Sequence, residues 1–578
     1  MIIKQFPEKM EDIPVDLFHP NRALVSGLFQ EAVQAGKELR GFLTYIPEGI
    51  EYCQPCLVAA VPSGVKTEEY FEQCGLKKFA DEKQLFLHLV YPDGQWKADG
   101  SDADYINAVY IKIQARDYYV TMQDNIYLCG INDGCFPAHQ AAKCMSSDWS
   151  GLMSFGRIDG DLCKDVHAFR GEEDQGDVEL KVAGISAPLP VWITVPEKNG
   201  TTISALEYWK QQNKVVGHPL NGEGADEIWC PTPVRTHSEI NEEHISQVRL
   251  SVQDAPFSIK QLETSWGYIG LARRHRGQGN KCLRYFKNPV DCGAVKKSME
   301  VDGLMRTWYE FVPECCTPDK EWPIVFVFHG RGGTAETFFD ITCISTVAEA
   351  RKFIAVIPQA GLYQQKKDGL RNVLLWCGEY DGKPVDDVKF VKEILDDIKT
   401  RHAIDEGRIY AMGQSSGGMM SDMLSYTAGG IFTAVAPWSA LRSPSKQFIT
   451  YQAGERCVPT MWIYGDKDFL CASKEKDQVF PFDITAEMHE SLMEKIRRYG
   501  LDAAKVQRWE TYPISWFAFP DEQNVPMIVV GVVNDMVHAN YPEESWISYD
   551  QFLSQFYKDK NGNTYYRGQK VAKCNEEK

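Results

Sequence analysis

The order of elements in this 578-residue chain is written twice, and that constrains the fold more than any other feature. "RGFLTYIPEG" at 40–49 answers "RTWYEFVPEC" at 306–315, and "LVAAVPSGVKTEEYF" at 57–71 runs beside "IVFVFHGRGGTAETFF" at 324–339. "LVYPDG" (89–94) parallels "AVIPQAG" (355–361), and Asp104 to Gly134 lies over Asp387 to Gly417 without a gap. "PVWITVPEK" (190–198) then parallels "TMWIYGDKD" (460–468), and "LETSWGYIG" (262–270) sits over "PEESWISYD" (542–550). Few residues are identical, but order and spacing agree. The chain is therefore expected to form two homologous domains, 20–285 and 295–578, joined near "KNPVDCGAVKKSMEVDG" (287–303).

Within each copy, short apolar runs alternate with amphipathic stretches. In the second copy "PIVFVFHG", "FIAVIPQ", "RIYAMG", "AVAPWS", "PTMWIYG" and "PMIVVGVVN" read as strands buried on both faces. Between them, Val388, Val391, Ile394, Leu395 and Ile398 recur at helical spacing, and "DITAEMHESLMEKIRRYG" does the same before stopping on Gly500. Strand and helix alternating in this way predicts an α/β class: two tandem domains, each a mostly parallel sheet covered by helices.

Composition narrows the partners. A net charge of -18 repels phosphate backbones and anionic lipid, so neither nucleic acid nor a membrane surface is an expected partner. No run approaches the roughly 18 apolar residues of a spanning helix. The opening "MIIKQFPEKMEDIP" does not read as a signal peptide, which sets a cytoplasmic expectation and, for the 17 cysteines, reduced thiols. Cys53 and Cys56 have CxxC spacing without a second pair at ligand distance, so packing is favoured over zinc or redox work.

Gly413-Gln414-Ser415-Ser416-Gly417 follows the strand "RIYAM" and precedes the helical "GMMSDMLSY". That context is a nucleophile elbow, a tight strand-to-helix turn that lifts a serine hydroxyl clear of the sheet. Ser415 then needs a base, and the base a carboxylate. His489 lies inside an amphipathic helix and reads as a solvated side chain, whereas His538 follows the strand "MIVVGVVND" and falls at the carboxyl edge of the sheet. For the acid, Asp466 and Asp468 both follow the strand ending at Gly465; Asp468, deeper in the loop, is preferred. The oxyanion donors are expected from the backbone N–H of Ser416 and, in the turn "HGRGG", of Arg331, with His329 shaping that turn.

At these residues the second copy resembles the polyhydroxybutyrate-depolymerase and feruloyl-esterase-like branch of the α/β-hydrolases, the carbohydrate esterase family one and its relatives. "HGRGG", "VDDVKFV", "RIYAMGQSSGGMM", "GDKD" and "VHANYPE" carry the resemblance, over about residues 300–557. It implies a Ser-Asp-His esterase that needs neither metal nor organic cofactor, with Ser415, Asp468 and His538 at the catalytic positions. One departure stands out: where the family often has Cys-Trp-Asn-Trp before Asp-Asp-Val, this chain has "LLWCGEYDGKPVDDV". Trp376 keeps an aromatic there, and with Trp438 it is the expected substrate-pocket residue. Tyr363, Trp462, Trp509, Trp516 and Trp546 make the same copy rich in aromatics. Asp386 and Asp387 are expected to cap the next helix.

Laid over the second copy, the first places Asn132 at Ser415, about Lys198 at Asp468 and about Ser258 at His538, with Pro62-Ser63 in place of His329-Gly330. An amide is not an activatable nucleophile. Residues 20–285 are therefore expected to be a pseudo-catalytic copy, kept as a scaffold or as a wall of the cleft. The partner is then a small or oligomeric ester: feruloyl or acetyl esters of plant carbohydrate, or polyhydroxyalkanoate oligomers. The competing class is a non-catalytic carbohydrate-binding or scaffold protein. The residues carry no signal for the oligomeric state.

Overall fold

The computed structural model describes the chain apart from residues 8–12, 14–15, 17, 20, 115–124, 164–186, 232–244, 275–282, 366–370, 381–382, 442–456, 474–479, 541–542 and 572–578. It divides into two compact units, one of Met1–Val15 with Arg22–Phe286 and one of Asp16–Asn21 with Lys287–Lys578. Among the described residues, no helix is long and apolar enough to cross a membrane.

In the first unit ten strands form the main sheet: β1 (Gly27–Ala35), β2 (Glu38–Ile46), β3 (Cys56–Ala60), β4 (Phe86–Val90), β5 (Ile126–Ile131), β6 (Gly151–Phe155), β7 (Val191–Val195), β8 (Leu220–Gly222), β9 (Ala225–Trp229) and β10 (Val248–Val252). Their order across the sheet is β1-β2-β4-β3-β5-β6-β7-β10-β9-β8, with Ile3–Lys4 added beside β1. From β4 through β10 neighbours are parallel, and β3, β4, β5, β6 and β7 are buried at every position. Such two-sided burial is why these segments read as unbroken apolar runs rather than alternating ones.

The second unit repeats this with ten more strands: β11 (Val295–Val301), β12 (Leu304–Phe311), β13 (Trp322–Phe328), β14 (Ile354–Pro358), β15 (Ile404–Gln414), β16 (Ala434–Trp438), β17 (Thr460–Gly465), β18 (Gln507–Thr511), β19 (Ile514–Pro520) and β20 (Pro526–Val533). Their order is β11-β12-β14-β13-β15-β16-β17-β20-β19-β18, the same permutation strand for strand. Antiparallel pairs also fall at the same two edges, β1/β2/β4 and β10/β9/β8 in one unit, β11/β12/β14 and β20/β19/β18 in the other. The chain is thus two tandem α/β-hydrolase-like domains.

A shared charged anchor fixes the register between the copies. Arg306 on β12 pairs with Asp387 at the first position of the helix Asp387–Lys399, stacks over Phe390 at 4.0 Å and reaches the carbonyl of Gln359 just past β14. Arg40 on β2 pairs with Asp102 in the helix Ser101–Ile113, stacks over Tyr105 at 3.8 Å and reaches the carbonyl of Tyr91 just past β4. Both arginines and both aspartates are nearly fully buried, and each aspartate's second oxygen accepts a backbone N–H, from Cys377 and from Lys97. Removing one member of such a pair would leave a charge stranded, at a cost of roughly 3–5 kcal/mol. The counterpart of Asp387 is therefore Asp102. The gapless overlay that begins at Asp104 slips by two residues at this helix and recovers at the elbow. Asp386, as expected, caps the helix, accepting the N–H of Lys389 at 2.8 Å, whereas Asp387, expected to cap as well, gives its oxygens to Arg306 and Cys377 instead.

The cysteines are mostly packing thiols, Cys53 and Cys56 both being buried. The reduced-thiol expectation fails at Cys457, which is disulfide-bonded.

Candidate active site

Ser415 occupies the junction between β15 and the helix Ser416–Thr427, with φ 54° and ψ −119°. A residue bearing a Cβ is strained there, by about 1–3 kcal/mol, and the surroundings hold it in place. Its N–H donates to the carbonyl of Trp438 at the end of β16 (2.9 Å). The flanking glycines are sterically required. A Cβ on Gly413 would come 2.5 Å from the carbonyl oxygen of Phe328, one on Gly417 would overlap that same group, and one on Gly418 would come 2.5 Å from the carbonyl oxygen of Trp438. Close packing of these backbones is what tips the serine hydroxyl out of the sheet.

The three residues singled out after strand ends come together. The hydroxyl of Ser415 lies 2.9 Å from Nε2 of His538, and Nδ1 of His538 lies 2.9 and 3.0 Å from the two oxygens of Asp468. A carboxylate can only accept, so Nδ1 carries the proton and Nε2 is left to accept from the serine. Asp468 is 0% exposed and is held by a tight turn. Its N–H donates to Gly465, its carbonyl accepts from Cys471 and Ala472, and Oδ1 also accepts the N–H of Leu470 at 2.9 Å. Asp466 is exposed, and Asp468 holds the imidazole.

One partner of the carboxylate gave no sequence signal. Cys471 is fully buried, and its thiol hydrogen-bonds Asp468; burial first, then that carboxylate, pushes the thiol well above its ordinary range. It therefore stays an S–H donor, a third hydrogen bond orienting the acid.

The loop after β13 is organised around His329. Its imidazole is buried, with Nδ1 2.7 Å from the carbonyl of Gly330 and Nε2 3.0 Å from the N–H of Ala360. Burial lowers its pKa to about 4, so the ring is neutral, donating through Nδ1 and accepting through Nε2. It shapes the turn that carries Arg331 and is no second base. Gly332 donates to Leu374 and Gly333 to Gly330, which closes the turn. Ser416, first residue of its helix, has an N–H at the helix N-terminus, where intrahelical partners are lacking and negative charge is favoured.

The expected pocket residues are in the wrong place. Trp376 is 1% exposed and Trp438 0%, so neither offers a face to a ligand. Their indole N–H groups donate to the carbonyl of His329 and to the hydroxyl of Ser548. Trp376 thus holds the His329 backbone, and Trp438 meets the site through its own carbonyl, which accepts the N–H of Ser415. Trp462 and Trp516 are core residues as well; the side chain of Tyr363 lies outside the described residues. His489 is no solvated side chain either: it packs on Phe480 with ring centroids 5.0 Å apart, and its Nε2 is buried. Among the described residues, no group of three or more His, Cys, Asp or Glu is placed to hold a metal ion.

The first unit keeps the turn but not the three side chains. Asn132 also has a positive φ, 52°, and a Cβ on Gly134 would come 2.5 Å from the carbonyl oxygen of Ala60, as Gly417 meets Phe328. Ala60 pairs with Gly130 and Phe328 with Gly413, each glycine two residues before its elbow. Trp96 donates to the carbonyl of Val61 at 2.8 Å, as Trp376 does to His329. The counterpart of His329 is thus Val61, and that of Arg331 is Ser63, one residue from the sequence overlay. The N–H of Ser63 is 3.1 Å from Asp133, whose other oxygen takes the Ser63 hydroxyl. Asp133 stands where Ser416 stands. The anion-binding end of this elbow is filled by the chain's own carboxylate. Lys198, at the position of Asp468, is ion-paired to Glu227 at 2.7 Å. Ser258 caps the helix Ile259–Ile269, while Phe257, as far past β10 as His538 is past β20, packs on Phe155.

No family model matches the chain. Among curated proteins it is 31% identical over 133 residues to feruloyl esterase B of Thermothelomyces thermophilus, covering 23% of this chain and 43% of that protein. It is 25% identical over 146 residues to poly(3-hydroxyalkanoate) depolymerase C of Paucimonas lemoignei, covering 24% of this chain and 34% of that one. The chain thus spans less than half the length of these relatives. A solved acetyl xylan esterase from Aspergillus awamori matches 45% of this chain and 99% of its own at 12% identity and a TM-score of 0.32, too low to add to the strand order above. Strand order and elbow give the second unit an α/β-hydrolase-like fold, and the chain resembles the feruloyl-esterase and polyhydroxybutyrate-depolymerase branch of that fold.

Proposed function

We propose that this chain is a serine carboxylic-ester hydrolase whose chemistry belongs wholly to the second unit. The observation that carries the reading is the hydrogen-bond chain from Ser415 through His538 to the buried Asp468, on a strained elbow. His538 takes the Ser415 proton as the hydroxyl oxygen attacks the ester carbonyl. The N–H groups of Ser416 and Arg331 bind the developing oxyanion. His538 returns the proton to the departing alcohol, and the Asp468 carboxylate stabilises the imidazolium between these steps. Water then repeats the attack on the acyl-enzyme, with His538 as base, and releases the acid. No step calls for a metal or organic cofactor.

The first unit, on this reading, is a pseudo-catalytic copy retained for its scaffold. Favoured substrates are feruloyl or acetyl esters of plant carbohydrate. The second reading, hydrolysis of hydroxyalkanoate oligomers, is supported by the likeness to the depolymerase.

The test is turnover of methyl ferulate, 4-nitrophenyl acetate and a hydroxybutyrate oligomer by wild type and Ser415→Ala. Wild type should hydrolyse at least one, and the variant should lose on the order of a millionfold in kcat while melting like wild type. A wild type inert on all three, or equal activity in the variant, refutes the reading.

A further inference from the structure

The loop that supplies the acid also presents a side chain for which packing gives no reason. Phe469 is 72% exposed, and Leu470 beside it is 41% exposed. Both lie on the turn pinned by Asp468, so the phenyl group is displayed from a well-anchored backbone. Its ring centroid is 5.6 Å from that of the His538 imidazole, at an interplanar angle of 59°. Of the large apolar side chains exposed in this unit, it is the one in ring contact with a member of the Ser415–His538–Asp468 chain, among the described residues. Leaving a phenyl group in water forgoes burial energy, and a displayed aromatic beside a reactive centre points to a ligand that covers it. The first unit offers the contrast. Asn199, as far past β7 as Phe469 is past β17, accepts the N–H of Thr202 and caps a helix.

Chemistry decides which part of an ester would lie here. The acyl carbon is bonded to Ser415 and its oxygen faces Ser416 and Arg331, whereas the alcohol receives its proton from Nε2 of His538. A ring packed on the imidazole therefore borders the alcohol side. Resting on the function proposed above, we propose that Phe469 is the platform for the alcohol portion of the substrate, and that this alcohol carries an apolar or C–H-rich face, as a sugar ring or a hydroxyacid chain does. Offset ring–ring or C–H–ring contact supplies the attraction.

The experiment compares methyl acetate with phenyl acetate, which share the acyl group, in wild type, Phe469→Ala and Phe469→Leu. In Phe469→Ala, KM for phenyl acetate should rise about tenfold more than KM for methyl acetate, with kcat falling less than KM rises, and Phe469→Leu should recover much of the difference. An equal effect on both esters overturns the proposal. So does an effect that follows acyl size, from methyl acetate to methyl ferulate, or a fall in kcat with a shifted pH profile, which would make Phe469 a positioning residue for His538. A wild type inert on every ester would sink the function reading itself, and this proposal with it.

Discussion

Asn132 and Ser415 stand at the same turn of the same scaffold, each with positive φ and each with glycines pressed against the neighbouring strand end. Beneath both turns an arginine–aspartate pair, an aromatic ring under the guanidinium and a tryptophan N–H on a loop carbonyl recur in matching places. What differs is confined to the carboxyl edge of the sheet: asparagine for serine, a surface ion pair for the acid, a packed phenylalanine for the base, and Asp133 folded onto Ser63. The difference separates two kinds of constraint. The arginine–aspartate anchors, the flanking glycines and the tryptophan N–H hold the backbone in both copies, although Val61 replaces His329 in its loop. The three side chains of the proposed triad stand in one copy, and in the other their places are taken by ordinary packing and ion pairing.

The comparison is most exposed to failure at the residue after the elbow. Ser416→Asp puts into the second unit the carboxylate that the first unit carries at that position. The introduced charge should take the Arg331 N–H and repel the oxyanion, lowering kcat on the order of 10²–10³-fold, the scale of losing one oxyanion donor. Ser416 is 4% exposed, so a carboxylate there loses solvation while it gains the helix N-terminus, and a melting curve is measured beside kcat to show that the variant is folded. Activity within threefold of wild type would break the equivalence of Ser63 and Arg331.

A smaller effect concerns stability. Two buried imidazoles are held neutral, His139 in the first unit, lowered to about 3, and His329 in the second, lowered to about 4, burial being the main cause in both. An ordinary histidine takes up its proton near 6.5, so below that pH the unfolded chain binds protons that the folded chain refuses. The stability these groups contribute is complete above about 6.5 and is lost as pH falls from there toward the folded values. Near pH 5 each should remove on the order of 2 kcal/mol. Urea unfolding at pH 7 and pH 5 should show both units weakened. A midpoint that does not move between those pH values contradicts the neutral assignment.

Much of this was legible in the residues because parallel strands buried on both faces leave unbroken apolar runs, and because reactive residues in such sheets follow strand ends. Ser415, Asp468 and His538 were read that way. Trp376 and Trp438 are not legible as buried because a tryptophan at a strand end looks the same in sequence whether it lines a cleft or packs beneath one; its N–H partner decides, and that partner is distant in sequence. The two-residue slip at Asp102 escaped because helix starts vary while the anchoring arginine is fixed in space. Cys471 and Asp133 act through contacts that no spacing rule announces.

The central claim, one working elbow per chain, is tested most directly by reaction with diisopropyl fluorophosphate followed by intact-mass and peptide analysis. An activated serine displaces fluoride and keeps the diisopropyl phosphoryl group. The account predicts one adduct per chain, on Ser415, and none in Ser415→Ala. A folded wild type that takes up no adduct, or an adduct within Arg22–Phe286, would contradict it.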